Sequence, residues 1–547
     1  MKHKYVFVIG GVMSGVGKGI ATSSIGKLLQ ARGYSVNLMK ADPYLNVDAG
    51  NMNPTEHGEC FVLKNGLETD QDMGNYERFL NRDSEGSDYM TSGMVYQSVI
   101  ARERALGYGG KCVEAIPHVR DEIISRIETA AKENNSEVTV IEIGGTVGDY
   151  QNVMFIEAAR VLAARNKGDV CFVMVSYLPI PGSIGEMKTR PTQNAIRQLN
   201  AHGVQPDIII ARSPQPLDER RKEKIANTCT IKPENVISAP DVDSVYDVPL
   251  NFERDNLSSV ILGELGLQPR QVADLSEWEA FAHKAHNGGE EVRIGVVGKY
   301  FDTGDFVLSD AYLSVIEALK YSAYHNNAKP KLEWIDSKDF ETGKKQLDYL
   351  KQFNGVVVPG GFGTSGIEGI ISAIRYAREQ KIPYLGLCYG MQLMAIEYAR
   401  NVGGIADAHT VEVAPDTLHP IVDVMPDQKE KIAEKRFGGT MRLGNWKASL
   451  KEGTIARQAY GVPEVEERHR HRYEINPVYI QKLEDAGMVF SGTSPVDTRL
   501  MEIAELKTSE HPFMLGTQFH PELRARPLAP HPLFTAFIQA SLRNTQS

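Results

Sequence analysis

Cys388 is framed as Gly386-Leu387-Cys388-Tyr389-Gly390, between an apolar run ending at Leu387 and an amphipathic stretch that reaches Arg400. Strand, tight turn and helix in that order make a nucleophile elbow, in which the flanking glycines permit the turn and lift the side chain to the sheet's edge. The start of a helix also favours a thiolate. Such a nucleophile needs a base and a group that orients the base. "LGTQFHPEL" supplies His520 and Glu522. Two apart on an extended stretch, they face one side, so Glu522 can fix the tautomer of His520 while His520 takes the thiol proton. Upstream, "VVVPGGFG" ends a strand in a glycine-rich loop whose free N–H groups suit an oxyanion hole. Taken singly, a cysteine is usually a small core residue. In this order the set points to nucleophilic catalysis.

A second chemical feature opens the chain. After the apolar run "YVFVIG" comes "GGVMSGVGKGIATSS", residues 10 to 24. Gly15, Gly17 and Lys18 suit a polyphosphate, with backbone N–H groups as the cradle, the lysine as counter-charge and a helix starting near Ile20 aiming its positive end at the anion. The hydroxyl that holds magnesium in a P-loop should follow Lys18, but Gly19 stands there. A metal must be held by other residues.

Both features need a parallel sheet to position them. "YVFVIG", "YSVNLMK", "EVTVIEIGG", "DVCFVMVSY" and "PDIIIARS" are nearly all apolar and alternate with helical patterns, which predicts strands buried on both faces. Residues 268–290 carry no strand pattern and end in Asn287-Gly288-Gly289, so a linker is expected there. A second strand series follows in "EVRIGVVGKY", "KLEWID", "FNGVVVPGG" and "IPYLGLC". The reading is α/β, with two doubly wound, mainly parallel-sheet domains: residues 1–267, then a linker, then 291–547. The net charge of −10 and the absence of a long basic block argue against nucleic acid or an anionic membrane as partner. Five scattered cysteines without a CxxC pair suit a reducing compartment. No apolar run approaches the ~20 residues that span a bilayer, so a cytoplasmic protein is expected.

Gly386 to Gln392 together with "FHPE" resembles the class I glutamine amidotransferases over about residues 292 to 535, which implies ammonia release from glutamine through a thioester. "GGVMSGVGKGI", "KADPYLNVDAGNMNPTEHGECFV", "ETDQDMGNYERF", "IEIGGTVGDY" and "GEMKTRPTQNAIRQL" resemble the CTP synthase family, and the resemblance then covers nearly the whole chain. It implies a P-loop-type amidoligase domain that converts UTP to CTP with ATP and glutamine, through a 4-phosphorylated UTP, in pyrimidine synthesis. A cobyrinate-type amide synthase also joins a deviant phosphate loop to a class I glutaminase, but does not predict "KTRPTQ".

By this resemblance Ser14, Gly15, Val16, Gly17, Lys18, Gly19, Ile20, Lys40 and Asp72 contact ATP, while Asp72 and Glu142 hold Mg2+. Ser14, Asp149, Tyr150, Gln151, Lys188, Thr189, Arg190, Pro191, Thr192, Gln193 and Lys224 contact UTP or CTP. Gly361, Tyr389, Gly390, Met391, Gln392, Glu412 and Arg472 hold glutamine. The family is a homotetramer, a dimer of dimers, activated by GTP and inhibited by CTP. Three positions depart from its pattern: Arg190 replaces a lysine, Gln151 replaces a glutamate in the nucleotide-sensing loop, and Cys60 replaces a valine near the ammonia passage, where Pro54 and His57 are kept. In "ERHRHRYEIN", alternation puts Arg468, Arg470 and Arg472 on one face of a strand and His469 and His471 on the other. Carboxylate binding is expected of Arg472, and structural roles of the others.

Overall fold

The computed structural model describes residues 2–182, 185–299, 309–361, 363, 365–425, 428, 434 and 438–544. Two compact units emerge: Met1–Asp48 with Asp72–Ala282, and Ala49–Gln71 with His283–Ser547.

Along the first half run β1 (Lys4–Gly10), β2 (Val36–Asp42), the short β3 (Phe61–Val62) and β4 (Glu68–Thr69), then β5 (Tyr89–Thr91), β6 (Val138–Ile143), β7 (Val170–Tyr177), β8 (Ile208–Ser213) and β9 (Val236–Pro240). Seven of these build the first unit's all-parallel sheet, in the order β5-β2-β6-β1-β7-β8-β9. Every residue of β1, β2 and β6 is buried, which explains why they are mostly apolar, with polar exceptions such as Asn37, Lys40 and Glu142. The strand order turns at β1, with β6 on one side and β7 on the other, and ligand crevices of open α/β sheets form beyond strand ends at such points. The glycine-rich stretch leaves β1 there. Residues 276–286 of the expected linker form a helix, Ser276–His286, because Trp278 and Phe281 are buried, Trp278 against Phe79 at 4.9 Å.

In the second unit come β10 (Glu290–Gly298), β11 (Ala328–Asp336), β12 (Gly355–Val358), β13 (Tyr384–Leu387), β14 (Ala408–Thr410), β15 (His419–Val424), β16 (Arg442–Leu450), β17 (Glu464–His471), β18 (Tyr473–Ile475), β19 (Val489–Thr493), β20 (Met501–Glu505) and β21 (Met514–Thr517). One nine-stranded sheet has the order β11-β10-β12-β13-β21-β20-β19-β16-β17. Its first five strands are parallel and the last four extend it antiparallel. The two doubly wound α/β domains expected from the sequence are the fold observed, with this antiparallel extension added.

Residues 49–71 pack on that extension. Arg470 Nε donates to Glu68 Oε1 at 2.8 Å, Arg468 Nη1 to the Val62 carbonyl at 3.1 Å, and Glu59 accepts from the Ser314 N–H at 3.0 Å, capping the helix Leu313–His325. Among the described residues no helix is long and apolar enough to cross a membrane.

Candidate active site

Cys388 links β13 to the helix Tyr389–Asn401 with φ = 50° and ψ = −95°, a conformation that an L residue adopts only under strain. Its N–H donates to the carbonyl of Thr517, which ends β21, at 2.6 Å. The framing glycines are required by close approach. A Cβ at Gly390 would lie 2.4 Å from the Val358 carbonyl oxygen, and one at Gly386 would lie 2.7 Å from the Gly390 backbone. Crossing strands and helix therefore pin the sulfur.

His520 Nδ1 lies 2.7 Å from Glu522 Oε1, and Nε2 has no hydrogen-bond partner among the described residues. Burial pushes the imidazole's pKa down, but Glu522 and Cys388 outweigh it and carry it up to about 10. The extended stretch expected for this pair is corrected: residues 521–524 form a 3-10 turn, because Pro521 fixes its first position, and Glu522 reaches the ring from that turn. Gly360 abuts His520 so closely that a Cβ there would be 2.8 Å from Cε1. Gly360 and Gly361 line a cavity of about 80 Å³ with Cys388, His520, Pro54 and Cys60. Phe362 of the expected oxyanion loop lies outside the described residues.

Of the expected glutamine contacts only Gly361 lines this cavity, and the others are engaged elsewhere. Glu412, whose pKa burial raises, accepts from the Gly363 N–H at 2.9 Å. Lys299, absent from the sequence reading, donates to the Gly363 carbonyl at 2.6 Å and stands 4.4 Å from the Tyr389 ring centre; burial lowers its pKa to about 8. Its only sequence signal is its place at the end of β10. Met391 turns its side chain into the core beneath Gly516. Gln392 Nε2 donates to the Tyr473 carbonyl at 2.9 Å and to Gln518 Oε1 at 3.2 Å. Arg472 Nη1 donates to Gln428 and Thr440. The alternation read in "RHRHR" is present: Arg468 and Arg470 meet residues 49–71, whereas His469 pairs with Glu502 at 2.7 Å.

In the first unit the helix begins at Lys18, two residues before the expected start, capped by Gly17 at φ = 86°. Lys18 curls back over Gly10, where a Cβ would be 3.0 Å from Nζ, and burial lowers its pKa. Lys40 and Glu142 are opposite each other across β2 and β6. The Lys40 ammonium bridges Asp72 Oδ2 at 2.6 Å and Glu142 Oε1 at 2.7 Å, and Tyr76 donates to Glu142 Oε2. Burial raises both carboxyl groups; at Asp72 the Lys40 charge more than offsets it and holds the pKa below the usual range, while Glu142 stays above it. Gly19 touches this cluster directly. A Cβ on it would lie 2.0 Å from Asp72 Oδ1, so the carboxylate fills the space that a P-loop serine would occupy.

Beside the loop, Gly11 packs against Ala195 of the helix Arg190–Ala201, which carries the basic loop next to the glycine-rich stretch. Within that loop Thr192 and Gln193 turn inward, Thr192 accepting from Ser176 at 2.8 Å and Gln193 donating to Thr189 at 3.2 Å. Lys188 pairs with Glu186, whose carboxyl also feels Lys224. Lys222, on the same helix as Lys224, is buried and paired with Asp255 at 2.6 Å. Asp149 accepts from the Thr146 N–H at 2.7 Å, while Tyr150 and Gln151 are exposed. A cavity of about 330 Å³, missed in the sequence, opens beside Gly17 and Ile20, lined by Arg212, Pro240, Asp241 and Val242. Its walls beyond the glycine-rich stretch and its helix come from β7, β8, β9 and residues 241–252, which carry no motif.

Two family models match: CTP synthase N-terminus over residues 4–267 and glutamine amidotransferase class-I over 307–540. The CTP synthase of Halalkalibacterium halodurans is 47% identical over 99% of this chain and 100% of its own length. The chain belongs to the CTP synthase family. A second CTP synthase, from Caldanaerobacter subterraneus, is 47% identical over 98% of both chains. The solved Trypanosoma brucei CTPS glutaminase domain with bound acivicin is 32% identical, covering 47% of this chain and 96% of that one, with a TM-score of 0.42. As a CTP synthase the protein is a ligase that uses UTP, ATP and glutamine to make CTP in pyrimidine biosynthesis.

Proposed function

We propose that the two centres divide the CTP synthase reaction as follows. Cys388 attacks the glutamine side-chain carbonyl, forming a C–S bond while the oxyanion meets N–H groups of the Gly360–Gly361 loop. His520 gives its proton to the departing amide nitrogen, ammonia leaves, and His520 then deprotonates the water that hydrolyses the thioester to glutamate. Glu522 keeps the ring oriented. Glu412 suits the substrate ammonium, Arg472 its carboxylate, and Gly361, Tyr389, Gly390, Met391 and Gln392 shape the rest.

In the first unit ATP lies on Ser14 to Ile20, its base in the cavity bounded by Arg212 and Asp241. UTP is held by Lys188 to Gln193 and Lys224, with Asp149, Tyr150 and Gln151 in the sensing loop. The UTP O4 attacks the γ-phosphorus, the bond to ADP breaks, ammonia adds at C4 and phosphate leaves. Lys18 and Lys40 neutralise the transferred group. Asp72 and Glu142, two carboxylates now bridged by an ammonium, fit Mg2+, which takes one or two carboxylates plus nucleotide phosphates. Bound there, it would supply charge at the transferred phosphoryl group.

The observation that carries this reading is Asp72 in the space left by Gly19, which supports a metal ligand there in place of the missing hydroxyl. Following pyrimidine absorbance with UTP, ATP and glutamine tests it; absence of CTP would overturn it. The reading extends to GTP activation, CTP inhibition, a cytoplasmic location and a homotetramer. For the last, support comes from Leu45, Tyr96, Ile100 and Tyr150, which leave one apolar face of the first unit exposed.

A further inference from the structure

Besides His520, Cys388 faces Arg470, whose carbonyl lies 3.9 Å from Sγ and whose guanidinium charge also acts on the sulfur, and a further polar neighbour that the triad leaves unused. Gln518 is fully buried, and its Nε2 lies 3.6 Å from Cys388 Sγ. Which end of this amide faces the sulfur is set by a chain of bonds. The Tyr473 carbonyl can only accept, so the amide of Gln392 must turn its nitrogen there. That same nitrogen donates to Gln518 Oε1, which leaves the Gln518 N–H groups for the sulfur. The Gln518 backbone N–H is held as well, by the Glu502 carbonyl at 2.8 Å.

We propose that Gln518 is a further catalytic residue, whose amide N–H donates to Cys388 Sγ and stabilises the sulfur as a thiolate. This rests on Cys388 being the nucleophile. A neutral thiol offers a donor amide little, whereas a thiolate is a charged acceptor, so the bond favours the ionised form. Because the amide is already buried and fixed, no solvent need reorganise as charge gathers on the sulfur. The bond weakens when the sulfur becomes a thioester and returns when the thiolate leaves in the hydrolytic step.

The test is the pH dependence of Cys388 alkylation by iodoacetamide in the full chain, compared with Gln518→Met, which keeps the volume but loses the donor, and Gln518→Glu, which presents a carboxylate. The alkylation midpoint should rise by about one pH unit in Gln518→Met, the scale of one hydrogen bond to a charged group, and further in Gln518→Glu. Gln392→Met, which frees the Gln518 amide to turn, should shift it in the same direction by less. Thermal unfolding midpoints identify variants that fail to fold, and any single folded variant suffices. An unchanged midpoint in the folded variants overturns the role of Gln518. If alkylating the unsubstituted protein labels Cys388 without loss of glutamine hydrolysis, the nucleophile assignment itself falls, and this proposal with it.

Discussion

Gly19 decides how the phosphate site should be regarded at the scale of single residues. Restoring the serine of an ordinary P-loop should harm this enzyme, because its Cβ would meet Asp72 at 2.0 Å. Gly19→Ser is expected to lower CTP formation on the order of 10²-fold, with glutamine or ammonium alike, since a 1 Å misplacement at a phosphoryl-transfer centre costs that much. Cys388→Ala should abolish glutamine-dependent synthesis and spare the ammonium-dependent reaction, whereas Lys18→Ala should remove both; initial rates with the two nitrogen donors check this. The imidazolium of His520 is favoured from its ordinary 6.5 up to about 10, so the proton for the departing amide is fully present below 6.5 and is lost only as pH rises through about 10. The alkaline limb of glutaminase activity should therefore lie near pH 10, and Glu522→Gln should move it down by a unit or more. Gln151→Glu should strengthen CTP inhibition, measured as a lower inhibition constant. Cys388, His520 and Lys18 were legible because few residue types perform their chemistry. Lys299 and Gln518 were not, since a lysine at a strand end and a buried amide carry no spacing signal. The pairing of Glu522 with His520 was legible but not its geometry, because the turn at Pro521 interrupts what reads as extended chain.

At the scale of elements, the elbow between β13 and its helix depends on absent side chains. Gly390→Ala must push against the Val358 carbonyl, and should cost about 1–3 kcal/mol in unfolding free energy, the usual range for overpacking. Thermal or denaturant unfolding measures it, and the glutaminase rate should fall with it as the sulfur shifts. The parallel strands were legible because burial on both faces leaves them almost purely apolar. Of the antiparallel strands, β17 showed only through the alternation in "RHRHR" and β16 not at all, because charge covers them: Arg442, Glu467, Arg468, His469 and His471 are all buried, matched by partners such as Glu474, Glu502 and His531. A core built from paired charges has no hydrophobic period to detect. β5 and β9 escaped notice for another reason, being short and close to turns.

For the whole molecule, the apolar face holding Leu45 at 73%, Ile100 at 58% and Tyr150 at 96% exposure is costly to leave in water. If the proposed tetramer forms through this face, Ile100→Asp should give smaller species than the unsubstituted protein in sedimentation or light scattering at micromolar concentration; equal sizes would show that the face is not an interface. The order of the two α/β domains could be followed along the sequence, but the membership of residues 49–71 could not, because packing partners four hundred positions away leave no local mark. Glu68 and Arg470 illustrate this: each looks like an ordinary surface charge until the 2.8 Å bond joins them. That membership matters to anyone recombining this enzyme with a relative. A hybrid joined near residue 283 would bring a foreign Pro54, Glu59 and Cys60 to the cavity of the native Cys388, and a foreign partner to Arg470. Inheritance by halves divides a single chamber between two parents, so a working exchange has to carry residues 49–71 along with the C-terminal half.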